Sequence, residues 1–247
     1  MVSFFTKKKY LVDLLEGFID IHNHILPGID DGAKTVEDSM NIINGFAAFG
    51  VHDFIATPHI MHNYYDNTPT TIQNAMHVLQ EALSAQNGRD VSVRVAAEHM
   101  IDSHFEQLLE EQKVMLLGKE HLLIEMSYLQ PPINFDEAVK AITNKWFFPI
   151  LAHPERYNFL HSRRRKYAEF KEQNILFQLN MLSLGEYYGK EVSKIALKLL
   201  EEGMIDFIGS DVHHVEHINA LKKVTVSKKV VNRLIPVIEK TIETFRP

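Results

Sequence analysis

The chain has 247 residues, of which 45% are hydrophobic and 23% charged, and its formal net charge is −6. This composition is typical of a globular protein that can form a single domain over residues 1–247, and the negative charge disfavours general binding to nucleic acid. Cysteine is absent from the sequence, which excludes disulfides, thiolate nucleophiles and cysteine-based zinc sites and leaves 14 histidines as candidate metal ligands.

The first predicted element is a short apolar strand at 18–21, followed directly by His22 and His24. In an extended chain, residues two apart point to the same face, so both imidazoles can reach one ion. The stretch from Ile19 to Gly32 reads IDIHNHILPGIDDG and turns at its Pro-Gly pair. By itself this His-x-His pair is weak evidence, because alternating histidines on a strand can simply be solvated.

Strands and helices alternate along the rest of the chain, with a loop expected at 61–69. Thr35 is expected to cap the first helix together with Asp38, and Pro236 is expected to kink or divide the last one. The predicted helices cover 36–49, 70–86, 103–111, 134–145, 162–173, 190–202 and 228–245. The predicted strands cover 18–21, 53–57, 91–97, 121–124, 147–152, 175–179 and 205–210.

This order predicts an α/β fold of about seven β/α units, a TIM-like barrel whose strands pair in parallel. In such barrels, functional side chains lie at the carboxyl ends of the strands. Here those ends carry imidazoles and carboxylates. The candidate metal ligands at the strand ends are His22, His24, His59, Glu98, Glu125, His153, Asp211 and His213.

Each of these residues has an ordinary alternative role. A single histidine such as His59 is more often a capped or half-buried side chain than a ligand, and Glu98 or Glu125 can pair with a lysine or arginine. Chance would not place nearly every such residue at the same end of its strand, which favours a joint site. Imidazoles and carboxylates without thiolates suit Mn, Fe or Zn in a multinuclear hydrolytic site.

Six strings, DIHNHILPGIDDG, ATPH, AAE, LLIE, LAHPERY and IGSDVHH, resemble the polymerase-and-histidinol-phosphatase (PHP) family. More narrowly, they resemble its bacterial capsule-biosynthesis branch of manganese-dependent protein tyrosine phosphatases, from about residue 18 to 214. The resemblance implies a distorted seven-stranded barrel with three metal ions. It assigns His22, His24, Glu98 and Asp211 to one ion, Asp31, His59 and His213 to a second, and Glu98, Glu125 and His153 to a third.

The resemblance also implies that Arg156 binds the substrate phosphate, and we expect Asp211 and His213 to act in catalysis. In this branch a second arginine usually follows the final Asp-x-His motif, but here the next segment reads HVEHIN. The residues that could take its place are His214, His217 and Lys222. Of these, we expect His214 to contribute to substrate binding, and His213 and His214 are the candidates for a general acid.

The chemistry of such a centre suits phosphate esters. Clustered divalent ions lower the pKa of a bound water towards about 7 and hold the phosphoryl oxygens for in-line attack, and the fork of Arg156 matches phosphate in a bidentate way. A tyrosine phenol has a pKa of about 10, so phenolate leaves with little protonation, whereas a serine alkoxide needs a strong acid. The predicted function is a metal-dependent phosphomonoesterase, in first place a protein tyrosine phosphatase.

By analogy with the family, the expected partner is an autophosphorylated bacterial tyrosine kinase in capsule or exopolysaccharide synthesis. The alternatives are a histidinol-phosphatase-like enzyme for small molecules and a metal-binding protein that docks a kinase without catalysis. A nuclease is less expected, because the sequence shows no basic run beyond Arg163–Lys166. Manganese is the expected metal, with iron or zinc as alternatives, and the oligomeric state stays open.

No apolar run approaches the roughly 18 residues that span a membrane. Lys7, Lys8 and Lys9 follow the first phenylalanines, which is the wrong order for a signal peptide. We therefore expect a cytoplasmic protein without an integral membrane segment.

Overall fold

A computed structural model describes residues 8–85 and 91–247 of the chain. The strands are β1 (Lys9–Tyr10), β2 (Ile19–Asp20), β3 (Asp53–Ala56), β4 (His59–Ile60), β5 (Ser92–Val95), β6 (Glu98–Met100), β7 (His121–Glu125), β8 (Phe148–Ala152), β9 (Leu176–Asn180), β10 (Phe207–Gly209) and β11 (Thr225–Val226). The helices are α1 (Val36–Ala47), α2 (Pro69–Ala85), α3 (Phe105–Glu110), α4 (Phe135–Asn144), α5 (Asn158–His161), α6 (Arg165–Glu172), α7 (Lys190–Glu201), α8 (Val215–Leu221) and α9 (Lys228–Phe245).

The strands pair in parallel, as the alternation of strands and helices predicts. One sheet has six strands in the order β10-β9-β8-β7-β6-β4, and a second has three in the order β2-β3-β5. The single antiparallel pair among the described strands joins β1 to β11, away from both sheets. The prediction of an α/β fold built on parallel strands is therefore confirmed.

The described strands do not hydrogen-bond into one closed sheet. The predicted strands at 53–57 and 91–97 correspond to β3 and β5 of the smaller sheet. After each of them the chain continues into the larger sheet, as β4 after β3 and as β6 after β5. One break includes Pro58, which has no N–H to donate, although the Glu98 N–H still donates to the Pro58 carbonyl at 3.1 Å. At the other edge, the Asp211 N–H donates to the His22 carbonyl at 2.6 Å and links the end of β10 to β2.

Both sheets contribute to a shared apolar centre. Ile19 and Ile55 from the smaller sheet pack in one buried cluster with Leu123 and Ile150 from the larger sheet, and Phe245 at the end of α9 joins them. Burial of this kind contributes about 25 cal/mol per Å² of apolar surface. It fixes the strand ends relative to one another, which is what positions side chains beyond them.

The structure confirms the predicted cap of the first helix, contradicts a division of the last helix and adds one short helix that was not predicted. Thr35 and Asp38 form the predicted capping box at α1. Pro236 does not divide the last helix: α9 is continuous, because burial of its apolar face, including Leu234, against β10 and α7 offsets the missing hydrogen bond. The predicted helix at 162–173 corresponds to α6, and the additional short helix α5 precedes it. The His161 side chain donates to the Glu155 carbonyl at 2.8 Å and ties α5 to the preceding turn.

Two predictions involve residues outside the described ranges: the end of the helix at 70–86 near Gly88, and the position of Lys7 in the N-terminal segment. Within the described ranges, no helix combines the length and the hydropathy that crossing a bilayer requires.

Candidate metal centre

All nine predicted ligands converge in one place. His22 and His24 follow β2, His59 and Glu98 begin β4 and β6, and Glu125 ends β7. The remaining three strand-end ligands follow β8 and β10, and Asp31 lies on the loop after β2. Ligand atoms within 4.8 Å of one another form three groups: His22, His24, Glu98 and Asp211; His24, Asp31, His59 and His213; and His59, Glu98 and Glu125. We call the nine residues together the metal centre.

The first group is fully enclosed. The Nε2 atom of His22 lies 3.2 Å from Oε2 of Glu98 and 3.4 Å from Oδ1 of Asp211. The Nε2 atom of His24 lies 3.5 Å and 3.4 Å from the same two oxygens. These four residues are the set that the resemblance assigns to one ion.

The second group lies nearer to solvent. Oδ1 of Asp31 is 3.4 Å from Nε2 of both His59 and His213, and the Asp31 side chain is 49% exposed. The His24 ring stacks on His213 with centroids 3.9 Å apart. The structure thus adds His24 to the three residues that the resemblance assigns to the second ion.

The third group centres on Glu98 and Glu125. Nδ1 of His59 lies 3.2 Å from Oε2 of Glu98 and 2.8 Å from Oε1 of Glu125. His153, which the resemblance places in this group, instead approaches the other Glu98 oxygen at 3.1 Å. Glu98 is therefore central, because its two oxygens face ligands of different groups.

The unpaired atoms of the metal centre fit a cation site. In the described part of the chain, Nε2 of His22 and His24, Nδ1 of His59, Oε2 of Glu98 and Oε1 of Glu125 are buried and face one another at 2.8–3.5 Å, but none of them makes a hydrogen bond of normal geometry. An unsatisfied buried polar group costs about 1–3 kcal/mol, so five of them at one place indicate a ligand that pairs with all. Imidazole nitrogens and carboxylate oxygens are donors for Mn, Fe or Zn.

The charges of the metal centre also favour cations. Burial would raise the pKa of Glu98, but the imidazoles of His22 and His59 outweigh it and hold that pKa well below its usual range. Conversely, burial would lower the pKa of His59, but the Glu125 carboxylate opposes it and raises the pKa to about 9. The enclosed carboxylates thus attract positive charge, whether it comes from protons or from metal ions.

Side chains behind the ligands orient two of the imidazoles. Nδ1 of His22 lies 2.7 Å from Oε1 of Gln178, and Nδ1 of His24 lies 2.8 Å from Oδ2 of Asp30. Fixing one ring nitrogen in this way directs the other towards the ion. Gln178 was not predicted from the sequence, although an amide within an otherwise apolar strand was a usable signal.

Two glycines allow the ligand strands to approach closely. A Cβ atom at Gly32 would lie 2.1 Å from the His24 carbonyl oxygen, and one at Gly209 would lie 2.7 Å from Cβ of His22. Any other residue at these positions would displace a ligand of the metal centre. Close packing against His24 therefore requires the glycine at the end of the DIHNHILPGIDDG string.

Asp211 has a left-handed backbone with a φ of 53°, which is uncommon outside glycine. The preceding residue, Ser210, is held by the Asp20 carboxylate. This carboxylate accepts hydrogen bonds from the Ser210 N–H at 2.9 Å and from the Ser210 hydroxyl at 2.6 Å. Burial raises the pKa of Asp20 to about 6. Backbone strain that the surroundings hold in place is common at functional sites.

Arg156 lies beside the metal centre and is sandwiched by two aromatic rings. Its Nη1 donates to Oδ2 of Asp211 at 2.5 Å. Its Cζ lies 4.1 Å from the Tyr188 ring centroid and 4.9 Å from that of Tyr128. The neighbouring carboxylate of Glu155 is buried and accepts from the Asn180 N–H at 3.0 Å. Neither aromatic partner was predicted from the sequence.

The residues considered in place of the second arginine lie apart from the three groups. His214 is half exposed, with its ring centroid 4.0 Å from that of His217 and its Nδ1 3.3 Å from Glu216. His217 accepts from the His213 N–H at 3.2 Å, so it supports a ligand. Lys222 points elsewhere, with its Nζ 6.0 Å from the centroid of the Phe49 ring.

A groove of about 590 Å³ opens above the metal centre. Its floor includes Glu125, His153, Arg156, Asp211 and His213, and its walls include Met61, Tyr64, Tyr65, Tyr128 and Leu129. The groove therefore joins the metal centre and Arg156 to an aromatic and apolar wall.

This chain is similar to known proteins along most of its length. The chain is 30% identical over 201 residues to the tyrosine-protein phosphatase YwqE of Bacillus subtilis, covering 80% of this chain and 78% of that protein. It is 28% identical over 206 residues to the tyrosine-protein phosphatase CpsB of Streptococcus agalactiae, covering 80% and 84%.

A solved structure from work on YwqE of Bacillus subtilis and CpsB of Streptococcus pneumoniae, described as metal-dependent tyrosine phosphatases, superposes with a TM-score of 0.81 at 26% identity. The superposition covers 92% of this chain and 93% of the other. Residues 18–233 match the family model described as capsular polysaccharide synthesis, CpsB/CapC. The chain belongs to the CpsB/CapC family, which confirms the resemblance seen in its sequence.

Proposed function

We propose that this chain is a metal-dependent protein tyrosine phosphatase. The observation that carries the proposal is the set of buried, unpaired imidazole and carboxylate atoms beside Arg156. Relatives that span most of its length are named tyrosine-protein phosphatases. Hydrolysis of a phosphate monoester is the reaction that this combination of ligands and arginine supports best.

Three divalent ions, with manganese as the preferred metal, would be held by the nine residues of the metal centre. His22, His24, Asp211 and Glu98 would hold one, and Asp31, His59 and His213 a second. Glu125 and His153 would hold the third with Glu98. When bound, such ions supply Lewis-acid polarisation of phosphoryl oxygens and activation of water at neutral pH.

The residues of the chain itself bind and orient the substrate. Arg156 presents its guanidinium at the groove floor, where it can take two phosphate oxygens in parallel hydrogen bonds. Asp211 and Tyr188 hold that guanidinium in place. A phenolate leaving group needs little protonation, so tyrosine esters do not demand a strong acid from His213 or His214. The proposal keeps a contribution to substrate binding for His214, which directly follows His213 and is half exposed.

We also propose a single-domain barrel architecture and a kinase partner for this chain. Residues 1–247 form one domain, and backbone bonds between β10 and β2 support a distorted seven-stranded barrel interrupted at Pro58. The partner is an autophosphorylated bacterial tyrosine kinase of capsule or exopolysaccharide synthesis, encountered in the cytoplasm. The support for this partner is membership of a family described by capsular polysaccharide synthesis.

A substrate comparison tests the proposal against a small-molecule phosphatase and a docking protein. We expect phosphate release from a phosphotyrosyl peptide in the presence of Mn²⁺, and much slower release from a phosphoseryl peptide and from histidinol phosphate. Preferred hydrolysis of histidinol phosphate would indicate the small-molecule enzyme. No hydrolysis of any of the three, with metal bound, would indicate a docking protein.

Replacement of Tyr188 tests the role of the aromatic ring beneath Arg156. We expect Tyr188→Leu to lower kcat/KM by about twofold to thirtyfold, because a cation–π contact contributes about 0.5–2 kcal/mol. Tyr188→Phe keeps the ring and should stay within about twofold of wild type. Steady-state kinetics with a phosphotyrosyl peptide measure both. Equal losses in the two variants would show that the hydroxyl, 3.4 Å from the Asn180 amide, matters instead.

A further inference from the structure

Two large apolar side chains at the groove and a third on the loop beside it are strongly exposed. Tyr64, Leu129 and Ile133 are 79%, 91% and 99% exposed. Tyr64 and Leu129 line the groove itself, and Ile133 lies on the same loop as Leu129, between β7 and α4. We call these three residues the apolar rim. Grouped apolar side chains beside a polar site mark a binding surface, whereas single scattered ones need no explanation.

The loop that carries two of the rim residues is held at both ends. At the start of residues 126–134, the Met126 N–H donates to the Tyr157 hydroxyl at 3.0 Å. At the end, the Asn134 side chain donates to the Asp102 carbonyl at 3.2 Å. Two successive prolines between these anchors restrict the backbone further. A surface that is ordered before binding loses less entropy when a partner arrives.

The apolar rim continues directly from the phosphate-binding arginine. Tyr128, the residue before Leu129, lies with its ring under Arg156 at 4.9 Å and its hydroxyl 3.3 Å from Nε2 of His153. A phosphotyrosine whose phosphate contacts Arg156 therefore has its backbone at the groove mouth. The residues on either side of it then meet Leu129 on one wall and Tyr64 on the other.

We propose that the apolar rim binds apolar side chains that flank the phosphotyrosine of a protein substrate. This inference rests on the proposed tyrosine phosphatase function and adds a sequence preference to it. A lipid surface is disfavoured as the occupant, because the carboxylate of Asp66, 69% exposed and next to His62 of the groove, repels anionic headgroups.

The test compares a peptide with a small substrate. For Leu129→Ser combined with Ile133→Ser, we expect kcat/KM to fall by roughly tenfold with a phosphotyrosyl peptide that has leucines beside the phosphotyrosine. With p-nitrophenyl phosphate, which has no flanking residues, the same variant should stay within about twofold of wild type. A phosphotyrosyl peptide with glycine and serine flanks should be turned over by wild type and variant alike.

Trp146→Ser is the matched control, because Trp146 is also strongly exposed, at 87%, but precedes β8 at the opposite end of the strands. Trp146→Ser should leave kcat/KM unchanged with both substrates. Equal losses with the peptide and with p-nitrophenyl phosphate, or no loss with either, would overturn the proposal. So would a change of molecular mass in sedimentation, which would assign the rim to contacts between copies of the chain.

A binding measurement separates this inference from the proposed function. Calorimetry with a peptide that carries a non-hydrolysable phosphonate in place of phosphotyrosine measures binding to the apolar rim, even where turnover is absent. If wild type hydrolyses nothing but binds the leucine-flanked peptide about tenfold more tightly than the rim variant, the function fails and the rim stands. If turnover is normal and wild type and the rim variant bind the peptide equally, the proposed role of the apolar rim is wrong and the proposed function stands.

Discussion

Glu98→Gln is expected to remove more than one metal ion per chain and to abolish phosphate release. Oε2 of Glu98 lies 3.2 Å from both Nε2 of His22 and Nδ1 of His59, and Oε1 lies 3.1 Å from His153. The carboxylate thus contacts ligands assigned to all three ions. Glutamine keeps the shape of the side chain but removes the negative charge that balances the cations and replaces one oxygen with a donor.

Elemental analysis and steady-state kinetics on the same preparation measure this effect. Glu155→Gln is the matched control: Glu155 is also buried, and burial raises its pKa to about 7, so its surroundings already favour an uncharged side chain. The control should retain its metal and its fold by circular dichroism. An unchanged metal count in Glu98→Gln would refute the bridging role of Glu98.

Arg156→Ala is expected to lower kcat/KM with a phosphotyrosyl peptide by about 10²–10³-fold, the usual cost of removing a positioned group that stabilises transition-state charge. Arg156→Lys should recover little, because a point charge cannot make two parallel contacts with phosphate. The metals should remain, since the Asn180 amide still donates to Oδ2 of Asp211 at 2.8 Å after the guanidinium is removed.

Arg165→Ala is the control for Arg156. Arg165 is 91% exposed, and its ion pair within the described ranges is with Glu169, at 3.3 Å, a surface contact worth about 0–1 kcal/mol. It should leave turnover within about twofold of wild type. If both Arg156 variants keep their metals and lose less than about threefold in kcat/KM, Arg156 does not bind the phosphate.

The convergence of the ligands was predictable because each strand carries its own local signal. An apolar run that ends in His59 or Glu98 can be read without knowledge of its neighbours, and parallel pairing then brings the ends together. The break of the strands at Pro58 was less visible, because its effect depends on which partner strand needs the missing N–H. The short helix α8 was missed, since it spans only seven residues.

The supporting contacts were not predictable, because they depend on distance in space and not on sequence. Gln178 contacts His22 across 156 positions of the chain. Tyr188 reaches Arg156 from a different loop, and no spacing rule connects a tyrosine to an arginine that lies 32 residues earlier. Only the folded chain shows that these side chains orient a ligand and a phosphate-binding group.

The most direct test of the account is metal removal. Protein stripped with a chelator should release no phosphate from a phosphotyrosyl peptide, and added Mn²⁺ should restore turnover, because these buried ligand atoms of the metal centre make no hydrogen bond of normal geometry in the described chain. Alkylation of thiols should change nothing, since the sequence contains no cysteine. Full activity in protein shown by elemental analysis to be free of metal would contradict the account.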